Sequence, residues 1–333
     1  MIATRWARTE KEYQAIQTFL AGHELAFESQ ATDTVILYED DCLVGTGSLD
    51  DGVLKCIAIS PSRQGEGLVG TILTSLVQKA YERGFDHLFI YTKPDNLRIF
   101  KPFGFHPIAK TQNVLLLENR KQGIQTFVKS LPGRRNGVIG SIVMNANPFT
   151  LGHRYLVESA LRDVDELQVF VLSSQKSIVP PQVRLKLVRE GCADLEKVLV
   201  QESGDYLVST ATFPTYFLPK DRIETANAEL DIRIFMDYFV PELHISKRFL
   251  GTEPLSPITN SYNQELLASL PKEGVEVQVL ERKQTQGDVI SASRVRALMK
   301  AGDLKGVRPL VPDPTWEYLH SEEGRRLFQA EKT

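Results

Sequence analysis

The residues best suited to chemistry lie in one run that ends at His153. An apolar, β-branched segment over 138–143 leads into a turn shaped by Asn147, and Thr150-Leu-Gly-His153 then opens a helical pattern. A strand, a glycine-containing turn and a helix start place backbone N–H groups and an imidazole where a nucleotide phosphate would lie. Gly152 permits a close backbone approach. Although a lone histidine here would more often cap its helix, the whole run favours chemistry on ATP.

A second run, Ile290-Ser-Ala-Ser-Arg-Val-Arg296, has the features of another helix start. Ser291 or Ser293 would be the N-cap, and Gly302 follows where a C-cap glycine belongs. Ser293 and Arg296 are three residues apart and therefore share one face of the first turn. They offer a hydroxyl, backbone N–H groups and a guanidinium to a polyphosphate. A capped surface helix with solvated arginines is the alternative for this run alone.

Further charged residues are weaker candidates. Lys176 follows a strand end and Arg184 lies on the next helix, so either could reach a triphosphate, and a solvated surface role is equally compatible with the sequence. Glu253, in the turn Gly251-Thr-Glu-Pro254, could contact a ribose or a metal, or simply form the turn. Three basic pairs could dock an acidic partner, with solvated charge as the default: Arg134-Arg135, Lys247-Arg248 and Arg282-Lys283.

The elements that must position these residues follow from hydrophobic periodicity. In the second half, strands alternate with helices, which predicts right-handed βαβ crossovers and a doubly wound parallel sheet. Ligands of such sheets bind at the carboxyl ends of the strands, where the run ending at His153 lies. The predicted strands are 138–144, 168–172, 198–201, 244–250 and 275–280, and the predicted helices include 182–192, 224–238 and 261–270.

The first half has a different pattern. Strands are predicted over 34–38, 42–49, 53–59 and 87–91, with one helix over 68–83. Turn residues and charge concentrate near 119–123 and 131–137, as in linkers. We therefore predict an N-terminal α+β domain over 1–120, a linker over 121–136 and a Rossmann-like domain over 137–333.

Composition limits the possible functions. A length of 333 residues suffices for two domains, and a net charge of −3 argues against a broad nucleic-acid surface. Three scattered cysteines without a C-x-x-C pair predict neither a disulfide framework nor a thiolate zinc site. Neither a signal peptide nor a membrane-spanning run is recognisable, so we expect a soluble cytoplasmic protein without membrane partners.

The two runs, taken together and in this order, resemble the paired signatures of the nucleotidyltransferase superfamily. They read Thr-Leu-Gly-His and Ile-Ser-Ala-Ser-Arg-Val-Arg in this chain. The resemblance implies that His153 and Arg296 stabilise charge on the α- and β-phosphates during adenylyl transfer. Ser293 and the adjacent backbone would hold the outer phosphates.

Longer blocks extend the resemblance over essentially the whole chain to one family, the citrate lyase ligases. The blocks are 149, 153–160, 209–217, 228–235 and 251–254. The family's activity would be a two-step ligation. Acetate attacks the α-phosphorus of ATP to form acetyl-adenylate, and the thiol of a CoA-derived group on the lyase's acyl carrier protein then takes the acetyl group. Mg²⁺ would be held mainly by phosphates.

We expect ATP to be bound by a set of residues around both runs and at two strand ends: Asn147, Phe149, Thr150, Gly152, Lys176, Gly251, Glu253, Ser291 and Ser293. Two other functions remain open. A nucleotide or phosphopantetheine adenylyltransferase would use the same phosphate motifs, and an N-acetyltransferase with an accessory nucleotide-binding domain is the third candidate.

The first half resembles GNAT-type N-acetyltransferases, in which backbone amides after a strand cradle the CoA pyrophosphate. The corresponding residues are Gln64, Gly65 and Gly67. Val69 replaces the usual Gly or Ala, and Phe100 stands where the family commonly has a tyrosine general acid. We therefore expect a domain that binds the CoA-like arm of the carrier protein without catalysing acetyl transfer. A purely structural domain is the alternative.

Overall fold

The computed structural model describes residues 2–28, 33–134, 136–173, 177–207, 213–252, 257–285 and 288–329. The chain divides into two compact units, and each consists of two stretches of sequence. The first unit is Met1–Gly123 with Phe213–Arg233, and the second is Ile124–Thr212 with Ile234–Thr333.

The first unit is built on a seven-stranded mixed sheet in the order β1-β2-β3-β4-β5-β7-β6. Its strands are β1 Ile2–Trp6, β2 Asp33–Glu39, β3 Cys42–Asp50, β4 Val53–Ile59, β5 Phe89–Thr92, β6 His106–Lys110 and β7 Leu115–Glu118. Its helices are α1 Glu10–Ala21, α2 Leu68–Glu82 and α3 Leu97–Phe100. Buried apolar residues of α2 pack against the sheet, with Leu76 and Leu37 fully buried in this core. The strands and the long helix predicted from periodicity are all present.

The parallel strands β4 and β5 separate soon after they begin. They pair only at Val53 with Phe89 and at Leu54 with Ile90, and beyond that point they diverge. A wedge therefore opens between them toward their carboxyl ends, which is where α/β folds generally bind ligands.

The first unit's own chain fills this wedge. On the β5 side, the Tyr216 hydroxyl donates to the Tyr91 carbonyl at 2.7 Å, and Phe213 contacts the Tyr91 ring edge-on. The Tyr216 carbonyl accepts the N–H of Ala26 at 2.7 Å. The segment Phe213–Phe217 thus supplies a partner for the Tyr91 carbonyl of β5 and is itself tied to the chain at Ala26.

A buried ion network anchors the same segment on the β4 side. The Lys55 ammonium lies 2.6 Å from Glu28 and 2.7 Å from Asp50, and Glu28 accepts the Thr215 N–H at 2.6 Å. Burial lowers the pKa of Lys55, but its hydrogen bonds to Asp50 and Glu28 outweigh that effect, and the pKa is raised. Lys55 is therefore charged at neutral pH.

The second unit contains a five-stranded parallel sheet in the order β10-β9-β8-β11-β12. Its strands are β8 Ile139–Met144, β9 Glu166–Val171, β10 Val198–Glu202, β11 Ile245–Gly251 and β12 Glu276–Leu280, followed by a short hairpin of β13 Gln284–Thr285 and β14 Asp288–Val289. This arrangement confirms the predicted doubly wound α/β fold. Fully buried Val157, Val169 and Phe249 belong to the core between the sheet and its helices.

The crossover and C-terminal helices complete this unit. One of the helices named next, Ile223–Ile234, belongs mainly to the first unit. They are α4 Gly123–Ser130, α5 Leu151–Ala160, α6 Pro181–Gly191, α7 Ile223–Ile234, α8 Val240–Leu243, α9 Pro257–Ser269, α10 Ala292–Ala301, α11 Leu304–Val307, α12 Asp313–His320 and α13 Glu322–Gln329. A π-helical turn, Phe235–Phe239, joins α7 to α8.

The division into units differs from the sequence-based boundaries in two ways. The predicted linker contains α4, in which Ile124 and Val128 are buried. Turn residues flank this eight-residue helix at both ends, so the sequence pattern there is that of a linker. In addition, the stretch Phe213–Arg233 belongs to the first unit although it was assigned to the second. Its aromatic side chains have partners distant in sequence, which periodicity does not reveal.

We predict that Tyr216→Phe lowers the free energy of unfolding of the first unit by about 1–2 kcal/mol, because the buried Tyr91 carbonyl loses its donor. Tyr216→Ala should cost about 3–5 kcal/mol. Urea unfolding followed by hydrogen exchange in β2 and β3 measures the effect. Tyr81→Phe is the control, since Tyr81 is 54% exposed and should matter little. An unchanged stability in Tyr216→Ala would show that the segment does not stabilise the wedge.

Candidate active site

The site lies where the strand order of the second unit reverses. From β8 the chain moves outward through β9 to β10, and it later returns on the other side of β8 to form β11 and β12. A crevice at the carboxyl ends of β8 and β11 follows from that reversal, and ligands of such sheets bind there. The turn after β8 carries Asn147 and leads into α5, and Gly251 ends β11.

Thr150 forms the N-cap of α5 and orients His153. Its hydroxyl accepts the His153 N–H at 3.3 Å, while its own N–H donates to His153 Nδ1 at 3.0 Å. This reciprocal arrangement is a capping box in which an imidazole replaces the usual Glu or Gln. Because Nδ1 accepts a backbone proton, the proton of the neutral ring is on Nε2.

The His153 ring is held neutral. Burial, and secondarily the positive charge of Arg282, lower the pKa of His153 to about 4. The ring lies nearly parallel to that of Phe149, 5.8 Å away between centroids. At neutral pH the side chain is therefore an oriented N–H donor and carries no charge.

The second run lies directly against the first. Ser291 is the N-cap of α10 and accepts the Arg294 N–H at 3.2 Å. A Cβ atom on Gly152 would lie only 2.7 Å from the Ile290 carbonyl oxygen, so this contact requires glycine. The close approach predicted for Gly152 is thus made to the other motif's backbone.

Arg296 connects the two runs. One guanidinium nitrogen donates to the Asn147 carbonyl at 2.7 Å, and the other donates to the Ser293 hydroxyl at 3.0 Å. Ser293 is exposed and Arg296 is partly exposed, so both can meet a ligand. The structure therefore brings together Asn147, Gly152, His153, Ser293 and Arg296.

Two of the predicted ATP contacts need correction. Phe149 is fully buried in the core beneath His153, and Thr150 is 1% exposed with its hydroxyl committed to the cap. Their side chains position His153 and do not face the crevice. Asn147 and Ser291 are also largely buried. The Asn147 side chain accepts the Val179 N–H at 3.0 Å, which fixes the turn after β8.

Arg184 is neither a solvated side chain nor a direct triphosphate ligand. It is fully buried, and burial lowers its pKa to about 10. Its guanidinium donates to the carbonyls of Val179 at 3.0 Å and Asn145 at 2.7 Å. It thus ties the turn after β8 to the segment that precedes α6. Sequence periodicity gave no sign of this role, since fully buried arginines are rare.

Arg282 is a further residue of the site that the sequence analysis treated as part of a solvated basic pair. It follows β12, and its Nε donates to the Thr252 carbonyl at 2.5 Å. It also passes alongside Gly251, where a Cβ atom would lie 3.8 Å from Nε. The carboxyl-end rule applied to β12 would have found it. Lys176 and Glu253, both predicted to bind ATP, fall outside the described residues.

The predicted CoA-binding loop lies in the first unit. Gln64, Gly65 and Gly67 are exposed, with left-handed φ values of +90° for Gly65 and +76° for Gly67. Gly67 is the N-cap of α2, and the space around both glycines is open. Phe100, at the position of the family's tyrosine, is buried and has no hydroxyl.

Two kinds of feature are absent from the described residues. No three His, Cys, Asp or Glu side chains in that part of the chain cluster in a way that could hold a metal ion. In the same residues, no helix combines the length and the apolar character needed to cross a membrane.

Comparison with known proteins agrees with both halves of this architecture. Residues 139–319 match the family described as citrate lyase ligase C-terminal domain, and residues 3–105 match the acetyltransferase (GNAT) family. Among solved structures, the ribosomal-protein-S18-alanine N-acetyltransferase from Escherichia coli aligns with 35% of this chain and 92% of its own, at 14% identity and a TM-score of 0.31.

Curated relatives cover nearly the whole chain. The [citrate [pro-3S]-lyase] ligase of Klebsiella pneumoniae is 41% identical over 92% of this chain and 92% of its own length. The corresponding ligase of Escherichia coli K12 is 38% identical over 96% of this chain and 94% of its own, and that of Haemophilus influenzae is 36% identical over 95% and 97%.

The fold and the two family matches together define a two-unit α/β enzyme with a GNAT-like N-terminal unit and a C-terminal ligase unit. The comparisons make the assignment specific: the chain belongs to the citrate lyase ligase family.

We predict that the His153 imidazole titrates near pH 4. In the unfolded chain it takes up its proton near pH 6.5. The folded state therefore gains stability from the neutral ring above pH 6.5, and that contribution is lost as the pH falls toward 4. Imidazole NMR titration, assigned with His153→Gln, measures the midpoint. A midpoint between 6 and 7 would contradict the described environment.

Proposed function

We propose that this protein is an ATP-dependent ligase that acetylates the acyl carrier protein of citrate lyase. An acetate oxygen attacks the α-phosphorus of ATP, and the bond to the bridging oxygen breaks, giving acetyl-adenylate and pyrophosphate. The thiol of the carrier's CoA-derived group then attacks the acetyl carbonyl, loses its proton and releases AMP. The observation that carries this proposal is the convergence of His153 and Arg296 at the switch point of the parallel sheet.

The geometry suits stabilisation of the α-phosphate during adenylyl transfer. The N-terminus of α5 presents backbone N–H groups and a partial positive charge. His153 would donate from Nε2 to an α-phosphate oxygen, and Arg296 would bind the charge that develops toward the β-phosphate. Both groups are held by backbone atoms of the protein itself, which is the arrangement expected of preorganised electrostatic catalysis.

The remaining contacts extend this assignment. Ser293, already oriented by Arg296, would bind outer phosphate oxygens, and Gly251 lies where the adenosine side of ATP would pass. Lys176 and Glu253 stay predictions from the sequence. We expect Mg²⁺ to enter with ATP, coordinated mainly by phosphate oxygens, where it would neutralise charge on the departing pyrophosphate.

The alternative is a nucleotide or phosphopantetheine adenylyltransferase, which would use the same phosphate contacts with a phosphate nucleophile. Full-length relatives named as ligases favour the carboxylate. Exchange of labelled pyrophosphate into ATP separates the two functions. Exchange that requires acetate supports the ligase, whereas exchange that ignores acetate and requires a mononucleotide or phosphopantetheine refutes it.

We predict that His153→Ala slows acetate-dependent pyrophosphate exchange by at least about 10²-fold, as expected when one preorganised donor to a transition-state oxygen is lost. His320→Ala is a matched control, because His320 is an exposed histidine of the same unit. Near-wild-type exchange in His153→Ala would refute the assigned role.

We also propose that the first unit binds the CoA-like arm of the carrier protein through the loop Gln64–Gly67. Its exposed left-handed glycines at the start of α2 leave backbone N–H groups accessible to a phosphate. Acetyl transfer within this unit is disfavoured, since Tyr216 and its neighbours fill the wedge between β4 and β5 and Phe100 lacks an acidic hydroxyl.

The test must keep residues 1–120, because Phe213–Arg233 packs with them. We predict that Gly65→Asp raises the KM for the carrier protein about tenfold, since a carboxylate in the loop repels phosphate. Gly84→Asp is the matched control: Gly84 also has a left-handed φ and open surroundings but lies beyond the other end of α2. Equal KM values in the two variants would leave the first unit with a structural role.

A further inference from the structure

Arg282 is fixed at the rim of the crevice by the backbone. It lies beyond the carboxyl end of β12, and its Nε donates to the carbonyl of Thr252, the residue that follows β11. The side chain runs past Gly251, with a Cβ position there 3.8 Å from Nε and 3.9 Å from Cγ. The guanidinium is a rigid fork of donors, so the bond to Thr252 also orients the plane of the group.

The positive charge of the same guanidinium contributes to the lowered pKa of His153. The site thus combines a fixed cation that follows β12 with an oriented neutral N–H donor on α5. The N-terminal end of α5 adds partial positive charge to the same region. An anion between these groups would be favoured by all three.

Its neighbour Lys283 has a different environment. Lys283 is exposed, and its ammonium lies 5.9 Å from the centre of the Tyr155 ring. The two residues of this basic pair therefore differ: Arg282 is tied to the backbone that follows β11, whereas Lys283 is exposed.

We propose that Arg282 is a further substrate-binding residue, whose guanidinium holds an anionic oxygen group of the reactants. This proposal rests on the proposed ligase function. Two groups in that reaction carry the required chemistry, namely the triphosphate of ATP and the attacking carboxylate. Arginine binds either one through paired N–H···O bonds, which a lysine ammonium cannot reproduce.

Acetate-dependent pyrophosphate exchange in Arg282→Gln, Arg282→Lys and Lys283→Gln tests the proposal. We expect Arg282→Gln to raise one substrate's KM at least tenfold, Arg282→Lys to recover part of that loss, and Lys283→Gln to match wild type. A rise confined to ATP assigns the triphosphate, and a rise confined to acetate assigns the carboxylate. Values of kcat and both KM within twofold of wild type would overturn the proposal.

Two further measurements distinguish substrate binding from a structural or docking role of Arg282. Binding of α,β-methylene-ATP, measured by calorimetry, does not require turnover, so it tests the triphosphate contact even if acetate proves not to be the nucleophile. A purely structural role predicts equal losses for ATP and acetate together with lower thermal stability, and that pattern would overturn the proposal. So would an effect confined to the KM for the carrier protein, because it would place Arg282 on a docking surface.

Discussion

The contact between Gly152 and the Ile290 carbonyl is the constraint on which the site depends. The absent side chain lets the start of α5 lie against the backbone that leads into α10. Once these two segments touch, Arg296 reaches the Asn147 carbonyl across 149 positions of sequence. The N-termini of α5 and α10, each able to bind an anion, thus form one site, to which α5 contributes His153 and α10 contributes Arg296.

The electrostatics of that site follow from burial. His153 is stacked on Phe149 and held by the Thr150 cap, so its imidazole acts as a neutral donor. Positive charge is supplied by guanidinium groups whose own positions are set by main-chain carbonyls: Arg296 by Asn147 and Arg282 by Thr252. A carbonyl that accepts from a guanidinium fixes the orientation of that group, so each of these two cations has a defined position beside the crevice.

Local pattern and long-range packing explain which features were predictable. Strand periodicity predicted the five parallel strands of the second unit and β2 to β5 of the first, but not β1, β6 or β7. The strand–turn–helix order singled out His153, and the helix-start pattern singled out Arg296. Burial was harder to infer: Phe149 and Thr150 belong to motifs but face inward, and Arg184 is fully enclosed. The membership of Phe213–Arg233 in the first unit depends on partners such as Tyr91 and Ala26 far back in the chain. Contacts between residues so far apart in the chain produce no periodic pattern in a single sequence.

The interleaved chain path has a consequence for how the protein is made. The sheet of the first unit is synthesised by Gly123, but the segment that fills its wedge, beginning at Phe213, emerges only after β8, β9 and β10. At ribosomal elongation rates this delay is on the order of ten seconds. During that interval the Tyr91 carbonyl of β5 lacks the Tyr216 hydroxyl, and β8 lacks its neighbour β11. Each unit therefore depends on a stretch of chain that is made after part of the other unit, so the folding of the two alternates along the sequence.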